Sequence, residues 1–400
     1  MKISKDKDKI DQLLDRGVEN VYPSKAFLKK RLESGERLSL YLGIDPTGAD
    51  LHLGHAIVLK KMREFQDLGH KLILLIGDFT GMIGDPTDKS ATRVRQTRKE
   101  VLANAKNYAK QAEMILSKEN PAEIKYNSKW LSKMTFEDVT ELASNFTVQQ
   151  MLERDMFDNR MKEGKPIYLH EFMYPLMQGY DCVAMDVDGE IGGNDQTFNM
   201  LAGRTLMKAL KKKEKFVLTT KLLTDPTGKK MGKSEGNIIK LDDSADEMFG
   251  KVMSWTDGMI LSGFELLTNV SDKEIKKIEK DLKGGTNPRD VKAYLGREVV
   301  AFFHDVSSAQ QASDNFDATF KNKQAPKDVD TLKIKTKMSI VEVLMKAGFA
   351  SSSSDARRLV KGGGVKVDDV VVEDHDQMIA PSKDGVLVQK GKRFFVRVSK

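Results

Sequence analysis

The sequence predicts an α/β protein: a parallel-sheet domain, then an all-helical region, then a small α+β unit. Three observations carry that expectation. Residues 38–76 read strand, helix, strand within about 40 residues, the pattern of a βαβ unit. A second strand-to-helix passage runs through Gly192-Gly193. From Asp246 to about Phe320 the apolar residues keep a helical period, before alternation returns over 336–400.

Taken in order, Ile10, Leu13, Leu14 and Val18 fall at helical spacing and predict an opening amphipathic helix over 5–19. Leu38, Leu40, Leu42 and Ile44 alternate strictly and run into the turn Asp45-Pro46-Thr47, which reads as a strand. Val58, Met62 and Phe65 mark a helix starting near His52 and stopping at Gly69. Leu72-Ile73-Leu74-Leu75-Ile76 is a continuous apolar run, as in a strand buried on both faces. Residues 95–165 read as largely helical and polar, without a strong strand signal, an insertion or a helical layer. The alternation of Val183, Met185 and Val187 predicts a strand, and Phe198, Leu201 and Leu206 the helix after it. Val291, Leu295, Val299 and Phe302 form one stripe, opened by Asn287-Pro288 as N-cap and first-turn proline. Lys321 to Asp330 reads as a polar linker. The domains expected are therefore 1–222, a loop and linker over 223–244, a helical domain over 245–325, and a C-terminal domain over 332–400.

Composition narrows the function classes. The chain has 400 residues, 40% hydrophobic and 31% charged, which suits a folded protein and excludes a disordered or fibrous one. Its single cysteine, Cys182, allows no intrachain disulfide and suits a reducing interior. No apolar run approaches the length of a membrane span and the N-terminus carries no apolar leader, so a cytoplasmic protein is expected. The net charge is +7. Residues 331–400 hold 14 Lys/Arg against 8 Asp/Glu, a local +6 that leaves +1 for the rest. A basic end on a nearly neutral body suits a polyanionic partner, or is simply a soluble basic domain.

Two clusters could carry chemistry. His52-Leu53-Gly54-His55 lies where a parallel strand feeds a helix N-terminus, a place that binds phosphate because free N–H groups and the helix dipole face the ligand. Surface histidines or two ligands of a zinc site are the alternatives. Lys230-Met231-Gly232-Lys233-Ser234 sits between Thr227-Gly228 and Gly236-Asn237, a loop whose cations suit an anionic leaving group. A solvated basic loop is the alternative there.

In this order and at this separation the two clusters resemble the HIGH and KMSKS signatures of class I aminoacyl-tRNA synthetases, with Gly232 in place of a serine. Tyr41-Leu-Gly-Ile-Asp45-Pro-Thr47, Gly84-Asp85-Pro86, Tyr174-Pro-Leu-Met-Gln178-Gly-Tyr-Asp181 and Gly192-Gly-Asn-Asp195-Gln196 narrow the resemblance to bacterial-type tyrosyl-tRNA synthetases, from about residue 35 to the C-terminus. The resemblance implies a Rossmann-like catalytic domain with a helical insertion at about 125–165, where the family forms its homodimer, and an anticodon-recognition domain in the helical region.

It also implies roles. Tyr41 and Asp181 match the pair that binds the tyrosine hydroxyl. Asp85, Tyr174 and Gln178 match those that hold its ammonium group, and Asp45 and Gln196 match contacts near its carboxylate. Gly43, Gly193 and Asp195 match the ribose side of ATP, with Gly54 under the adenine. Thr47 and His52 match groups acting on the γ-phosphate, and His55 a nucleotide contact. Lys89 and Arg93, with Lys230, Lys233 and Ser234, match the mobile groups that gather on pyrophosphate. Magnesium is expected to arrive with ATP rather than in a protein-bound cage.

The physical logic of the tyrosine pocket agrees with these roles: a phenol is told from a phenyl ring by buried polar partners that the wrong ligand would strand. Tyr41 with Asp181 thus argues against the tryptophan-specific branch of the class, and His52, His55, Lys230 and Lys233 against a non-catalytic RNA-binding paralogue. In the tail, Ser352-x-x-Asp355 reads as a capping box, followed by Ala356-Arg357-Arg358-Leu359-Val360-Lys361 and three glycines. This stretch resembles the RNA-binding module named after ribosomal protein S-four, in which Arg357, Arg358 and Lys361 would meet RNA phosphates.

Overall fold

The computed structural model describes residues 2–85, 97–225, 228, 238–321, 329–334, 336–382, 385–391 and 394–400. Lys89, Arg93, Lys230, Lys233 and Ser234 lie outside the described residues, as does most of the expected linker. The chain divides into two compact units, Met1–Val306 and Ser307–Lys400.

The first unit is built on a six-stranded sheet. Its strands are β1 (Val18–Tyr22), β2 (Ser39–Ile44), β3 (Lys71–Ile76), β4 (Glu123–Tyr126), β5 (Gly189–Gly193) and β6 (Phe216–Thr220), in the spatial order β1-β6-β5-β2-β3-β4. All neighbours run parallel except β1, which pairs antiparallel with β6 at one edge. The order is the point that matters for function. From β2 the chain builds outward through β3 to β4, then returns to place β5 on the other side of β2. Crossovers on the two sides of such a switch point leave a crevice at the carboxyl ends of the central strands.

The expected βαβ unit is present. β2 and β3 pair in register from Ser39–Lys71 to Ile44–Ile76, and the helix between them is Leu53–Asp67, capped by His52. β3 is buried from Leu72 to Ile76, consistent with a strand covered on both faces.

Four readings of the sequence need correction. The opening helix is Lys7–Asp15, and Val18 begins β1 instead of extending the helix, because Gly17 adopts a left-handed turn with φ near +65°. Residues 95–165 do contain a strand, β4, whose sequence Glu-Ile-Lys-Tyr is too polar to stand out at a sheet edge. The alternation Val183, Met185, Val187 is not a strand: the helix Met173–Met185 takes up its first members, Asp186 stops it with φ 51°, and the strand is Gly189–Gly193. In the tail, Ser352 does cap the helix Ser353–Lys361, but the Asp355 carboxylate turns to the Ser351 backbone and hydroxyl, so the box is not reciprocal.

After the sheet, the helices Ala245–Met253, Ile260–Leu267, Asp272–Lys283 and Pro288–Phe303 complete the first unit, the last of them with the expected Asn287 cap. Arg16 ties this helical part to the start of the chain. Its buried guanidinium donates to the carbonyls of Phe264, Glu265, Thr268 and Val270, at and beyond the end of the helix Ile260–Leu267.

The second unit includes a five-stranded sheet of Asp330–Lys333, Val365–Val367, Val370–Val371, Val386–Lys390 and Phe394–Ser399, with the helices Ile340–Lys346 and Ser353–Lys361. Ile340, Val343, Leu344, Ala356, Val360, Val388 and Val398 are in its core. Its alternating pattern was legible where one face of a strand is covered, as in Phe394–Ser399, whose Val396 and Val398 are buried.

Candidate active site

A cavity of about 380 Å³ opens at the carboxyl ends of β2 and β5, the switch point of the sheet. It brings together all fourteen predicted tyrosine and ATP groups that the structure describes: Tyr41, Gly43, Asp45, Thr47, His52, Gly54, His55, Asp85, Tyr174, Gln178, Asp181, Gly193, Asp195 and Gln196 all line it. Residues up to 155 positions apart in the chain thus share one wall because β2 and β5 are neighbours.

The helix Met173–Met185 supplies one side. Tyr174, Gln178 and Asp181 follow i, i+4, i+7 and so face the same way. Asp181 is 3% exposed. Its Oδ1 accepts from Trp130 Nε1 at 2.7 Å and its Oδ2 from Asn127 Nδ2 at 3.3 Å. Burial pushes its pKa well above the carboxylate range, against the pull of those two donors. Tyr41 lies on β2 with its hydroxyl fully buried and unmatched by any partner among the described residues. Burial, then the charge of Glu190, raises its pKa, so it stays a neutral phenol. A buried hydroxyl without a partner is costly. A polar atom brought into the cavity would relieve it.

A second network continues from Asp181. Asn127 Nδ2 also reaches Thr80 Oγ1 (3.0 Å), Thr80 Oγ1 donates to Asp45 Oδ1 (2.7 Å), and the Tyr174 hydroxyl donates to Asp45 Oδ2 (2.7 Å). Asn127 owes its place to β4: its backbone N–H donates to Ile76 O at 3.1 Å, just past the β3–β4 pairing. The network also explains Gly77, where a Cβ would fall 1.9 Å from Asp45 Oδ1 and 2.4 Å from Thr80 Oγ1. No other residue fits there.

Asp85, which the resemblance sets toward the substrate ammonium group, lines the cavity and receives two protein donors. Arg154 Nη2 approaches its Oδ1 at 3.2 Å and Gln196 Nε2 donates to its Oδ2 at 3.0 Å. Arg154 is itself buried, with its guanidinium over the rings of Phe157 and Phe198.

At the other end, the two histidines order each other. His52 is the N-cap of the helix Leu53–Asp67; its Nδ1 accepts from Gly54 N at 3.1 Å, and His55 Nδ1 accepts from His52 N at 3.2 Å. Backbone N–H groups only donate, so both neutral rings carry their proton on Nε2. Two imidazoles with ring centroids 4.0 Å apart, at a helix N-terminus, are an arrangement whose chemistry suits phosphate oxygens. A Cβ on Gly54 would come within 2.9 Å of the His52 ring, so this arrangement needs glycine there. The segment beyond the second signature cluster is stitched to the first: Leu53 N donates to Ile239 O, Leu241 N to Leu51 O, and Lys240 pairs with Asp50.

The sequence reading missed Thr80, Asn127, Trp130, Arg154, Glu190 and Lys215. Asn127 and Trp130 follow a strand whose polarity concealed it. Glu190 sat inside the glycine-rich stretch that drew attention to its neighbours.

On the second unit, Arg357, Arg358 and Lys361 are exposed along the helix Ser353–Lys361. Arg358 Nη2 bonds Asp355 Oδ1 at 2.7 Å.

A parallel sheet with its cavity at the switch point, and paired histidines capping the helix after its central strand, is the architecture of a class I aminoacyl-tRNA synthetase. Residues 33–321 match the family described as tRNA synthetases class I (W and Y), and residues 321–398 match the tyrosine–tRNA ligase SYY-like C-terminal domain. The tyrosine–tRNA ligase of Thermotoga maritima is 44% identical over 390 residues, covering 97% of this chain and 96% of its own. That of Photobacterium profundum is 44% identical over 389 residues, covering 96% and 97%. Among solved structures, the mitochondrial tyrosyl-tRNA synthetase of Coccidioides posadasii aligns with a TM-score of 0.61 at 25% identity, over 76% of this chain and 91% of its own. The tyrosyl-tRNA synthetase of Archaeoglobus fulgidus shares the fold, with a TM-score of 0.60 at 22% identity over 76% and 99%. The chain belongs to the tyrosyl-tRNA synthetase family.

Proposed function

We propose that the chain activates tyrosine with ATP, releasing pyrophosphate, and transfers the tyrosyl group from the adenylate to the 3′ end of tRNA-Tyr. The observation that carries the reading is the cavity at the switch point, with a buried phenol and a buried carboxyl at one end and two Nε2–H donors on a helix N-terminus at the other.

Tyrosine lies with its hydroxyl toward Tyr41 and Asp181 and its ammonium group toward Tyr174, Gln178 and Asp85. Gln196 and Asp45 complete that end: Gln196 holds Asp85, and Asp45 orients Tyr174, since an acceptor-only carboxylate repels the substrate carboxylate. ATP passes over Gly43, Gly54, Gly193 and Asp195, with its phosphates at Thr47, His52 and His55. No protein nucleophile is needed. The tyrosine carboxylate attacks the α-phosphate in line, and catalysis comes from holding both reactants and from donors and cations meeting the charge on the departing pyrophosphate. Lys89, Arg93, Lys230, Lys233 and Ser234 are the cations and hydroxyl assigned to that charge.

Magnesium, carried on the triphosphate, supplies further neutralisation. Asp45, Asp85, Asp181 and Glu190 already receive protein donors, which does not suit a separate metal cage.

The helical region 245–325 is assigned to the anticodon and the C-terminal domain to the tRNA backbone. A second copy of the chain is assigned to the insertion at 125–165, where Phe136 is 87% and Val148 64% exposed. No helix among the described residues is long and apolar enough to cross a membrane, and we assign the chain to the cytoplasm.

Amino-acid-dependent exchange of pyrophosphate into ATP, run on the purified chain with a panel of amino acids, tests the reading. Exchange with tyrosine alone is expected. Exchange with tryptophan instead, or none at all, overturns it.

A further inference from the structure

A buried ion pair lies at the tyrosine end of the cavity, with Glu190 in the lining and Lys215 behind it. Glu190, on β5, is 2% exposed, and Lys215, just before β6, is fully buried. Taking two charges out of water is costly, and removing one partner alone leaves an uncompensated charge, so a buried pair usually persists only where further hydrogen bonds satisfy it. Here they do. Lys215 Nζ holds Glu190 Oε2 and donates to Met200 O at 3.3 Å, and it stands 5.6 Å from the centre of the Tyr41 ring. The other carboxylate oxygen, Oε1, accepts from Gln178 Nε2 at 3.0 Å.

A primary amide is nearly symmetric in shape, and its two ends can exchange by a half turn. One end accepts hydrogen bonds and the other only donates. An ionised carboxylate cannot donate, so it tolerates only the N–H end of Gln178 against it. The carbonyl end of Gln178 is left for the cavity, where it can accept from a cation. With the amide reversed, the cavity would present N–H groups to the same cation and repel it.

We propose that Glu190, paired with Lys215, is a positioning residue for the substrate ammonium group: it fixes the Gln178 amide with its carbonyl oxygen toward the cavity. The inference rests on the reading that tyrosine occupies this cavity. It adds that the Gln178 amide is oriented by a charged neighbour in the same cavity wall.

The test measures equilibrium binding of two ligands to the full chain: L-tyrosine, and 3-(4-hydroxyphenyl)propanoate, which lacks only the ammonium group. The variant Glu190→Gln/Lys215→Met removes both charges together and replaces the obligate acceptor with an amide of either orientation. Its Kd for tyrosine is expected to rise about tenfold, the scale of one charge-assisted hydrogen bond, with the propanoate unchanged. Equal weakening of both ligands, or no weakening of tyrosine, overturns the proposal. The same double change made on a Gln178→Met background is expected to cost tyrosine binding nothing further, because the amide it acts through is gone. A further loss there overturns the proposal even where the packing of the first variant is disturbed. Wild-type protein that binds no tyrosine would instead remove the functional reading itself.

Discussion

The Tyr174 hydroxyl donates its proton to Asp45 Oδ2 at 2.7 Å, across 129 positions of sequence, and so keeps its own lone pairs as acceptors. Burial and the Asp45 charge raise the Tyr174 pKa, so the phenol does not ionise near neutral pH. Tyr174→Phe removes that acceptor and leaves Asp45 a donor short. The KM for tyrosine in pyrophosphate exchange is expected to rise about tenfold, on the scale of one buried hydrogen bond, with the KM for ATP within about twofold. An equal rise in both would mean that the substitution disturbs the whole cavity.

Arg16 makes a different kind of prediction, about stability. Its guanidinium donates to four backbone carbonyls; Arg16→Ala takes that donor from all four, and while Phe264 O keeps the Thr268 hydroxyl and Thr268 O keeps Lys60, Glu265 O and the buried Val270 O lose theirs. Urea unfolding is expected to show a loss of about 3 kcal/mol or more. Arg16→Lys is expected to recover only part of it, because an ammonium group has three donors and lacks the planar fork. Full recovery by lysine would reduce the role of Arg16 to its charge.

His70 predicts a pH dependence. It is fully buried, its Nδ1 accepts from Leu38 N at 3.2 Å, and burial lowers its pKa to about 4. The folded chain therefore keeps it neutral where the unfolded chain, with a pKa near the ordinary value of about 6.5, takes up a proton. Stability from this group is complete above about pH 6.5, falls as the pH drops from there toward 4, and levels off below. The total loss is of the order of 3 kcal/mol. Unfolding free energies measured from pH 7.5 to 4 are expected to fall less steeply for His70→Gln than for the wild type. Parallel slopes would assign the acid sensitivity to other groups.

The tail predicts a separation of activities. Arg357→Ala/Arg358→Ala/Lys361→Ala is expected to leave tyrosine activation unchanged while tRNA binding weakens, with the slope of log K against log salt shallower by about 2 to 3. Arg358, shared with Asp355, is expected to contribute the least of the three. An unchanged salt slope would remove these cations from the RNA contact.

Sequence reading succeeded where the burial pattern was regular or a motif was local. β3 announced itself because both faces are covered, and the helix after His52 because one stripe meets the sheet. Where identity came from motif resemblance, the residues of the cavity were legible in advance. β4 and β5 were not: an edge strand of Glu-Ile-Lys-Tyr and a central strand of Gly-Glu-Ile-Gly-Gly carry little apolar periodicity, and their place is decided by partners far away in the chain. Glu190, Lys215, Asn127 and Arg154 escaped for the same reason. Each acts on another side chain, and such relations arise only once the strands are assembled.

The strand order has one more consequence, for the chain as it is made. β2 ends at Ile44 and the neighbour that completes its second edge begins at Gly189, about 145 residues later. At ribosomal speeds of 5–20 residues per second, that interval lasts roughly 7 to 30 s. Throughout it, a nascent apolar strand has one side closed by β3 and the other open, the exposed template that promotes wrong pairing. Birth on the ribosome is therefore the most hazardous period for this half of the molecule, and a holding chaperone that shields the open edge would do most for its yield.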